Sequence, residues 1–484
     1  MRILAIDLGT GALKALVFDA ELRLHGRASL PIQTRRSLPG QAEQDVPDWL
    51  SAMARAVPAA LTDAGHPGID AIVVTGHMSA PCFIGPDGQA LGPVQTLSDT
   101  QCAGYVRDDP LALALTGNRS ATHFGRAKIV RALAEVPALA QPGTKILAPK
   151  DVLRLALGGT ASTDASDAAN LLLIDPATGG WSPDLLAEAG IAAALMPPLL
   201  AASARDGSLN AKWAALFGLD AGIPLITGGA DMATAARAGR IDTKGRLLVT
   251  IGTSATSLIA CPGPRPGLVD RLTFHADGAG NGFALGSHFN GGACLDWFHA
   301  LSDGAATDRD ATLNALSAVA TTRPLADTDP LFLSSLLGAG SPRFDAAERG
   351  AFFGLAASHD RADLFRAILE GISFELAATV QVLAADGFAM DHILAGGGGM
   401  RLGIWPQMLA DVTGLEVRLA ASADASAEGA AMLALEALGA EIPQEAIREE
   451  IFRVDPERHM HHQFRHKRLS QLRVAIGACL SGRA

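Results

Sequence analysis

The chain has 484 residues, 49% of them hydrophobic, more than a single core can use, and about two to three domains are expected. Its net charge of −11 offers no general attraction to nucleic acid or to an anionic membrane surface, so any anion it binds must be held locally. No apolar run reaches the roughly 18 residues that cross a bilayer, Asp7 interrupts the N-terminus where a signal peptide needs its apolar core, and five cysteines include no CxxC pair; a cytoplasmic protein with reduced, mostly buried thiols is expected.

In chain order, Ile3 to Ile6 read as a buried strand, Gly9 and Gly11 permit a tight turn around Thr10, and Ala12 to Val17 resume the apolar pattern. Consecutive amides in such a turn form an anion nest, and phosphate is the usual guest. Asp7 would repel that guest, which suggests a divalent cation between them. A plain hairpin whose turn Asp7 caps explains the same residues. Short apolar runs at Ile69 to Val74, Leu225 to Thr227 and His392 to Ala395 alternate with helical patterns, which argues for α/β layers. In TGGADMATAARAG, Gly228 and Gly229 precede Asp231 at the start of a helix, where the acid either caps the helix or faces a cleft. Together Asp7 and Asp231 would meet two needs of phosphoryl transfer, a cation ligand and a base for a hydroxyl proton.

The segment RLLVTIGTSATSLI, from Arg246 to Ile259, repeats the opening plan, with Ile251-Gly252-Thr253-Ser254 aligned on Leu8-Gly9-Thr10-Gly11. That echo predicts two related halves, residues 1–240 and 241–484, whose turns clamp one polyphosphate across a cleft. Leu364, Ile368, Ile372, Leu376 and Val380 form a core-facing helical stripe with Asp360 as its N-cap. The glycines Gly396 to Gly399 let backbone approach a flat ring or a phosphate, and Pro406 opens a further helix that Gly414 ends. His459, His461, His462 and His466 lie among Arg465, Lys467 and Arg468, which predicts a solvated basic helix in preference to a metal site. Neither a GxxxxGKS/T loop nor a GxGxxG opening a βαβ unit is present.

These residues resemble the FGGY carbohydrate kinases, and most of all their xylulokinase branch. The resemblance is carried, in order, by AIDLGTGALKALVFD at the start, AEQDVPDWL from Ala42, PKDVLRLALGG from Pro149, DASDAANLLL from Asp164, GGADM from Gly228, TIGTS from Thr250, ACLDW from Ala293, GAFFGLAASHDRADLFRAILEG from Gly350 and AGGGGMRLGIWPQMLADVTG from Ala395. It implies two actin-like (ribonuclease H-like) α/β ATPase domains flanking a central cleft, with ATP and Mg2+ on one side, a small sugar on the other, and a homodimer as the assembly. By the same resemblance Asp231 is the general base and Asp7 the magnesium-side acid. Gly9, Thr10, Gly11, Lys14, Gly252 and Thr253 then hold phosphates, and Gly397, Gly398, Gly399 and Gly403 border the nucleoside. His77, Met78, Ser79, Asp99, Asp231 and Met232 fall on the sugar side.

Several positions depart from the family pattern. Its GQMHG reads Gly76-His77-Met78-Ser79-Ala80, the Asn after the catalytic Asp is Met232, and WND reads Leu97-Ser98-Asp99. The GERTP loop is Gly338-Ala339-Gly340-Ser341-Pro342, and Arg131 replaces the Trp of the signature near Lys128. Because a site built to bond a hydroxyl discriminates strongly, the changes at the sugar bear on which sugar binds more than on whether phosphate moves. The implied reaction is ATP-dependent phosphorylation of a small ketose, D-xylulose first, with another pentulose, a tetrulose or a polyol as alternatives. A sugar- or nucleotide-binding protein without transfer is the reading from another class, and retention of both aspartates argues against it.

Overall fold

The computed structural model of the chain describes residues 1–278, 281–302, 307–420, 422, 424–444 and 447–480. The first half supplies β1 (Arg2–Leu8), β2 (Ala12–Asp19), β3 (Leu24–Pro31), α1 (Val46–Asp63), β4 (Ala71–Gly76), α2 (Gly125–Glu135), α3 (Pro149–Leu157), α4 (Ala165–Ala169), β5 (Arg205–Ser208), β6 (Pro224–Ile226) and α5 (Asp231–Ala238). The second supplies β7 (Arg246–Ile251), β8 (Ala255–Ala260), β9 (Thr273–Ala276), β10 (Gly282–His288), α6 (Arg361–Ala385), β11 (His392–Gly396), α7 (Ile404–Thr413), β12 (Glu416–Ala420), α8 (Ala425–Ala437), β13 (Ile447–Phe452) and α9 (Pro456–Leu480).

These strands build a six-stranded sheet in the order β5-β6-β4-β1-β2-β3 and a seven-stranded sheet in the order β9-β10-β8-β7-β11-β12-β13. β1 pairs antiparallel with β2 and parallel with β4, and β7 pairs antiparallel with β8 and parallel with β11. The correspondence extends outward in both directions, to β3 and β10 on one side and to β5 and β13 on the other, with β9 added beyond β10. The two glycine-threonine turns therefore occupy equivalent places in two copies of one topology.

β1 is buried on both faces, as a continuous apolar strand at the centre of an α/β sheet must be. Leu4 and Ile6 pack with Trp49 and Val57 of α1, while Ile3 and Ala5 face the other way. What covers that second face is α8, through Ala427, Ala430, Ala434 and Leu435 from the far half of the chain. In exchange α5, from the first half, lays Ala233 and Ala236 against Leu248, Leu258 and Leu394 of the second sheet. The two exchanged helices cross in direct contact, and a Cβ at Gly429 would lie 1.8 Å from the carbonyl oxygen of Thr234.

α6 runs for 25 residues from Asp360, whose carboxylate accepts from the N–H groups of Ala362 and Asp363 as the sequence predicts. By length and hydropathy α6 meets the requirement for crossing a membrane, contrary to the expectation that no segment would, but 78% of the qualifying stretch is buried inside the fold. α7 begins two residues before Pro406 and ends at Gly414, whose φ of 74° is the left-handed cap expected of it.

The basic helix expected at the histidine-rich end forms with Lys467 and Arg468 exposed, but one of its faces is not solvated. His462, Arg465 and His466 of α9 are buried. Arg465 Nη2 donates to Glu370 Oε2 at 2.6 Å, His462 Nδ1 lies 2.7 Å from Glu370 Oε1, and the His466 ring stacks on Phe374 at 4.9 Å. Among the described residues no group of three or more histidines, cysteines and acids could hold a metal ion. Glu370 sits on α6, and its carboxyl is pulled down to about 2 because the Arg465 and His462 bonds outweigh the cost of burial. Glu370→Gln is expected to cost about 3 kcal/mol by leaving Arg465 buried without its counter-charge. Since the folded value lies below the ordinary 4.5, this stabilisation is complete above pH 4.5 and is lost as pH falls through about 2. Urea unfolding at pH 7 and pH 3 measures both effects, and the variant should lack this part of the acid sensitivity. Cys82, Cys102, Cys261 and Cys294 are free and buried as expected, and the side chain of Cys479 lies outside the described residues.

Candidate active site

The first turn closes with the Gly9 N–H donating to the Ala12 carbonyl at 3.0 Å. Gln44 Nε2 donates to the Thr10 carbonyl at 2.7 Å, and Trp49 Nε1 donates to Gln44 Oε1 at 2.9 Å, so α1 holds the turn from below. The backbone is indeed a hairpin, but Asp7 does not cap it. Asp7 lies within β1 opposite Lys14, and its carboxylate accepts no hydrogen bond among the described residues. Lys14 Nζ reaches Asp424 Oδ1 at 3.0 Å, just before α8.

Burial pushes the Asp7 carboxyl up to about 6, with Lys14 opposing and Asp424 reinforcing. Asp231 is pushed up to about 7, first by burial and then by the charge of Asp7, against one hydrogen bond from the Met232 N–H at 2.8 Å. Asp231 is the first residue of α5 and Ala230 the N-cap, so the capping alternative is not realised. The charge of Asp7 thus reaches Asp231, and two acids close enough for one to raise the other's pKa suit an oxygen-ligated divalent cation.

On the other side, a cavity of about 390 Å³ brings Gly252 and Thr253 together with Gly398, Gly399, Arg401 and Trp405. Gly397 has φ 89°, and a Cβ there would meet the Ile251 carbonyl oxygen at 2.4 Å; a Cβ on Gly399 would meet Ile251 and the Trp405 ring at 2.9 Å. Those two glycines serve the packing of the turn onto β7, whereas a Cβ on Gly398 would meet nothing within 4 Å. Gly397→Ala is expected to raise the KM for ATP about tenfold or more by displacing Ile251 and the adjoining turn at Gly252 and Thr253. Steady-state kinetics at saturating sugar measures this. Gly403 is set apart from this group and opens on a separate cavity of about 340 Å³ with Arg366, Gln407 and His461.

On the expected sugar side, Met78 and Met232 are half-buried and pack against the cluster around Ala230 and Leu285. Ser79 has φ 62°, and its carbonyl accepts from Lys128 Nζ at 3.0 Å. Burial pushes the Lys128 ammonium down to about 8, and burial together with Lys128 pushes His77 down to about 4, so its imidazole is neutral. Among the described residues neither buried ring nitrogen of His77 has a hydrogen-bond partner, and the ring stands edge-on to Trp49 at 5.7 Å. Asp99 accepts from the N–H groups of Ala42 and Gln101 at 2.7 and 3.0 Å and ties its loop to the segment before α1.

Sequence reasoning missed the charged cluster behind this wall. Lys150 Nζ lies 2.6, 3.1 and 3.4 Å from carboxylate oxygens of Asp151, Asp164 and Asp167, and Arg154 pairs with Asp151 and Asp206. All are buried. Burial, and then Asp164, Asp151 and Asp231, push the Asp167 carboxyl well above the usual carboxylate range, against Lys150. The available signal is Lys150, Asp151 and Arg154 set within one short, otherwise largely apolar helix.

The N-terminal domain model of the FGGY family of carbohydrate kinases matches residues 2–237, and the C-terminal domain model of that family matches residues 247–438. The xylulose kinase of Bacillus subtilis (strain 168) is 29% identical over 443 residues, covering 89% of this chain and 87% of its own length. Among solved structures, a xyloylose kinase from Brucella ovis matches with a TM-score of 0.88 at 28% identity, over 99% of this chain and 100% of its own. A xylulose kinase from Rhodospirillum rubrum matches with a TM-score of 0.87 at 27% identity, over 99% of each chain. A duplicated sheet topology, glycine turns at equivalent strand ends and family matches to both halves lead to one conclusion: the chain belongs to the FGGY family of carbohydrate kinases, ATP-dependent sugar kinases of the actin-like fold.

Proposed function

We propose that the protein transfers the γ-phosphoryl group of ATP to a terminal hydroxyl of a small ketose, with D-xylulose giving D-xylulose 5-phosphate as the leading reaction. Residues 1–240 form the sugar-side domain and residues 241–484 the nucleotide-side domain. The observation that carries this reading is Asp231, a half-buried carboxyl raised to about 7 at the head of α5, in the field of Asp7 at the phosphate turn. The relatives named above are xylulose kinases, which sets the order of candidate sugars.

As the sugar oxygen attacks the γ-phosphorus, its proton passes to the Asp231 carboxylate, the bond from phosphorus to the β–γ bridging oxygen breaks, and ADP leaves. The amides of Gly9 to Gly11, those of Gly252 and Thr253, and Lys14 hold the phosphates. Gly398 borders the nucleoside, and Met78, Ser79, His77 and Met232 shape the sugar site, with Asp99 fixing its loop. Asp7 would hold magnesium, which when bound neutralises charge on the β- and γ-phosphates.

Asp231 accepts a proton only when ionised, so kcat should fall as pH drops through its pKa, with the acid limb at or below about 7 once a cation at Asp7 relieves their repulsion. Asp7→Asn should move that limb lower still and raise the magnesium concentration needed for half-maximal rate about tenfold or more. ADP release with ATP and magnesium over a panel of ketoses, aldoses and polyols tests the whole reading. Turnover with D-xylulose is expected. Turnover with another pentulose, a tetrulose or a polyol instead would reassign the substrate, and no sugar-dependent ADP release from any of them would favour a non-catalytic binding protein.

A further inference from the structure

The buried cluster around Lys150 is joined to the backbone that presents Asp231. Lys150 Nζ lies 3.1 Å from Asp164 Oδ1. Asp164 Oδ2 accepts from the Ser166 N–H at 2.8 Å and from the Ser166 hydroxyl at 2.5 Å. Ser166 Oγ accepts in turn from the N–H of Ala230 at 2.9 Å, and Ala230 immediately precedes Asp231. Asp164, as the carboxylate partner of an ammonium, only accepts, so the serine proton points to Asp164 and a lone pair is left for Ala230. Every link is buried, where hydrogen bonds of this kind are most directional.

The turn they reach has little freedom of its own. Gly228 has φ 72°, and a Cβ there would stand 1.8 Å from the Val74 carbonyl oxygen. The Thr75 hydroxyl donates to the Gly229 carbonyl at 2.8 Å, and Gly76 forms a β-bridge with Ala230. The turn is thus pinned to the end of β4 on one side and to Ser166 on the other, and only the second pin carries charge.

We propose that Ser166 and Asp164, backed by Lys150, are positioning residues for the phosphoryl transfer: through the Ala230 N–H they aim the Asp231 carboxylate at the acceptor hydroxyl. The proposal rests on Asp231 being the general base. It separates two functions of one buried cluster, cohesion of the domain through Asp151, Arg154 and Asp206, and alignment of the base through Asp164 and Ser166. A misaimed base loses rate without losing substrate affinity, because neither substrate is bound less well before the proton moves.

The test is steady-state kinetics of Ser166→Ala, Asp231→Asn and the double variant, with magnesium, ATP and the panel sugar that turns over fastest. The expected result is a fall in kcat of about 10- to 100-fold in Ser166→Ala with both KM values within twofold of wild type, and no further slowing when Ser166→Ala is added to Asp231→Asn. A merely structural serine would slow both backgrounds by the same factor, and that result, or a kcat within twofold of wild type, overturns the proposal. Should Ser166→Ala not fold, Asp164→Asn is compared in the same way against the same criteria. If Asp231→Asn itself turns over at the wild-type rate, it is the base assignment that fails, whereas an inactive Asp231→Asn beside an unaffected Ser166→Ala sinks the positioning role alone.

Discussion

Asp231→Asn is expected to lower turnover by about 10²- to 10⁴-fold while the affinity for ATP stays within twofold. The size follows from what the substitution keeps. Asn has the shape of Asp and can accept the Met232 N–H bond seen at 2.8 Å, so α5 begins as before. It cannot take a proton from a sugar hydroxyl at neutral pH. Gly252, Thr253 and Gly398 gather in a cavity that Asp231 does not line, so nucleotide binding has no reason to change. ADP-release kinetics together with calorimetric ATP titration measures both quantities, and wild-type turnover in this variant would remove Asp231 from the role of base.

Gly429→Val should be the most damaging single substitution away from the acids. Its Cβ would enter the space of the Thr234 carbonyl, where α8 crosses α5. Neither helix can yield separately, since α8 is packed by Ala430 and Ala434 onto the first sheet and α5 by Ala233 and Ala236 onto the second. The expected cost is about 3 kcal/mol or more, close to the upper end for overpacking, and a fall of about 3 °C or more in Tm for an interlocked chain of 484 residues. Asp231 lies one turn from Thr234, so kcat should fall in the same variant at temperatures where it remains folded. Thermal unfolding and kinetics at 20 °C read both, and a Tm within 2 °C of wild type would show that the crossing tolerates a side chain.

The readable parts of this chain are those whose cause is local. The strand at Ile3 to Ile6, the turn at Gly9, its echo at Gly252 and the cap at Asp360 each follow from a few neighbouring residues, and all four stand where the sequence places them. Of the two places the sequence allows Asp231, the cap is missed by one position, because Ala230 already occupies it. Gly403 stands close to Gly397 to Gly399 in sequence, yet the intervening turn directs it to another cavity. The basic face of α9 looked solvated because Glu370, the acid it meets, lies on a helix far away in sequence. The Lys150 cluster escaped notice for the same reason: Asp151 and Arg154 are neighbours in sequence, but Asp164, Asp167 and Asp206 arrive from separate segments.

The exchange of α5 and α8 also dictates the order in which the molecule can be completed. A ribosome that has released residues 1–240 has made every strand of the first sheet, yet Ile3, Ala5, Leu16 and Phe18 still face water, because the residues that shield them, Ala427 to Leu435, are about two hundred codons away. Through that interval the nascent chain carries a sticky half-finished surface that a chaperone must guard or the second half must reach in time. A gene cut between the halves should yield two insoluble fragments when expressed apart and a soluble pair when expressed together.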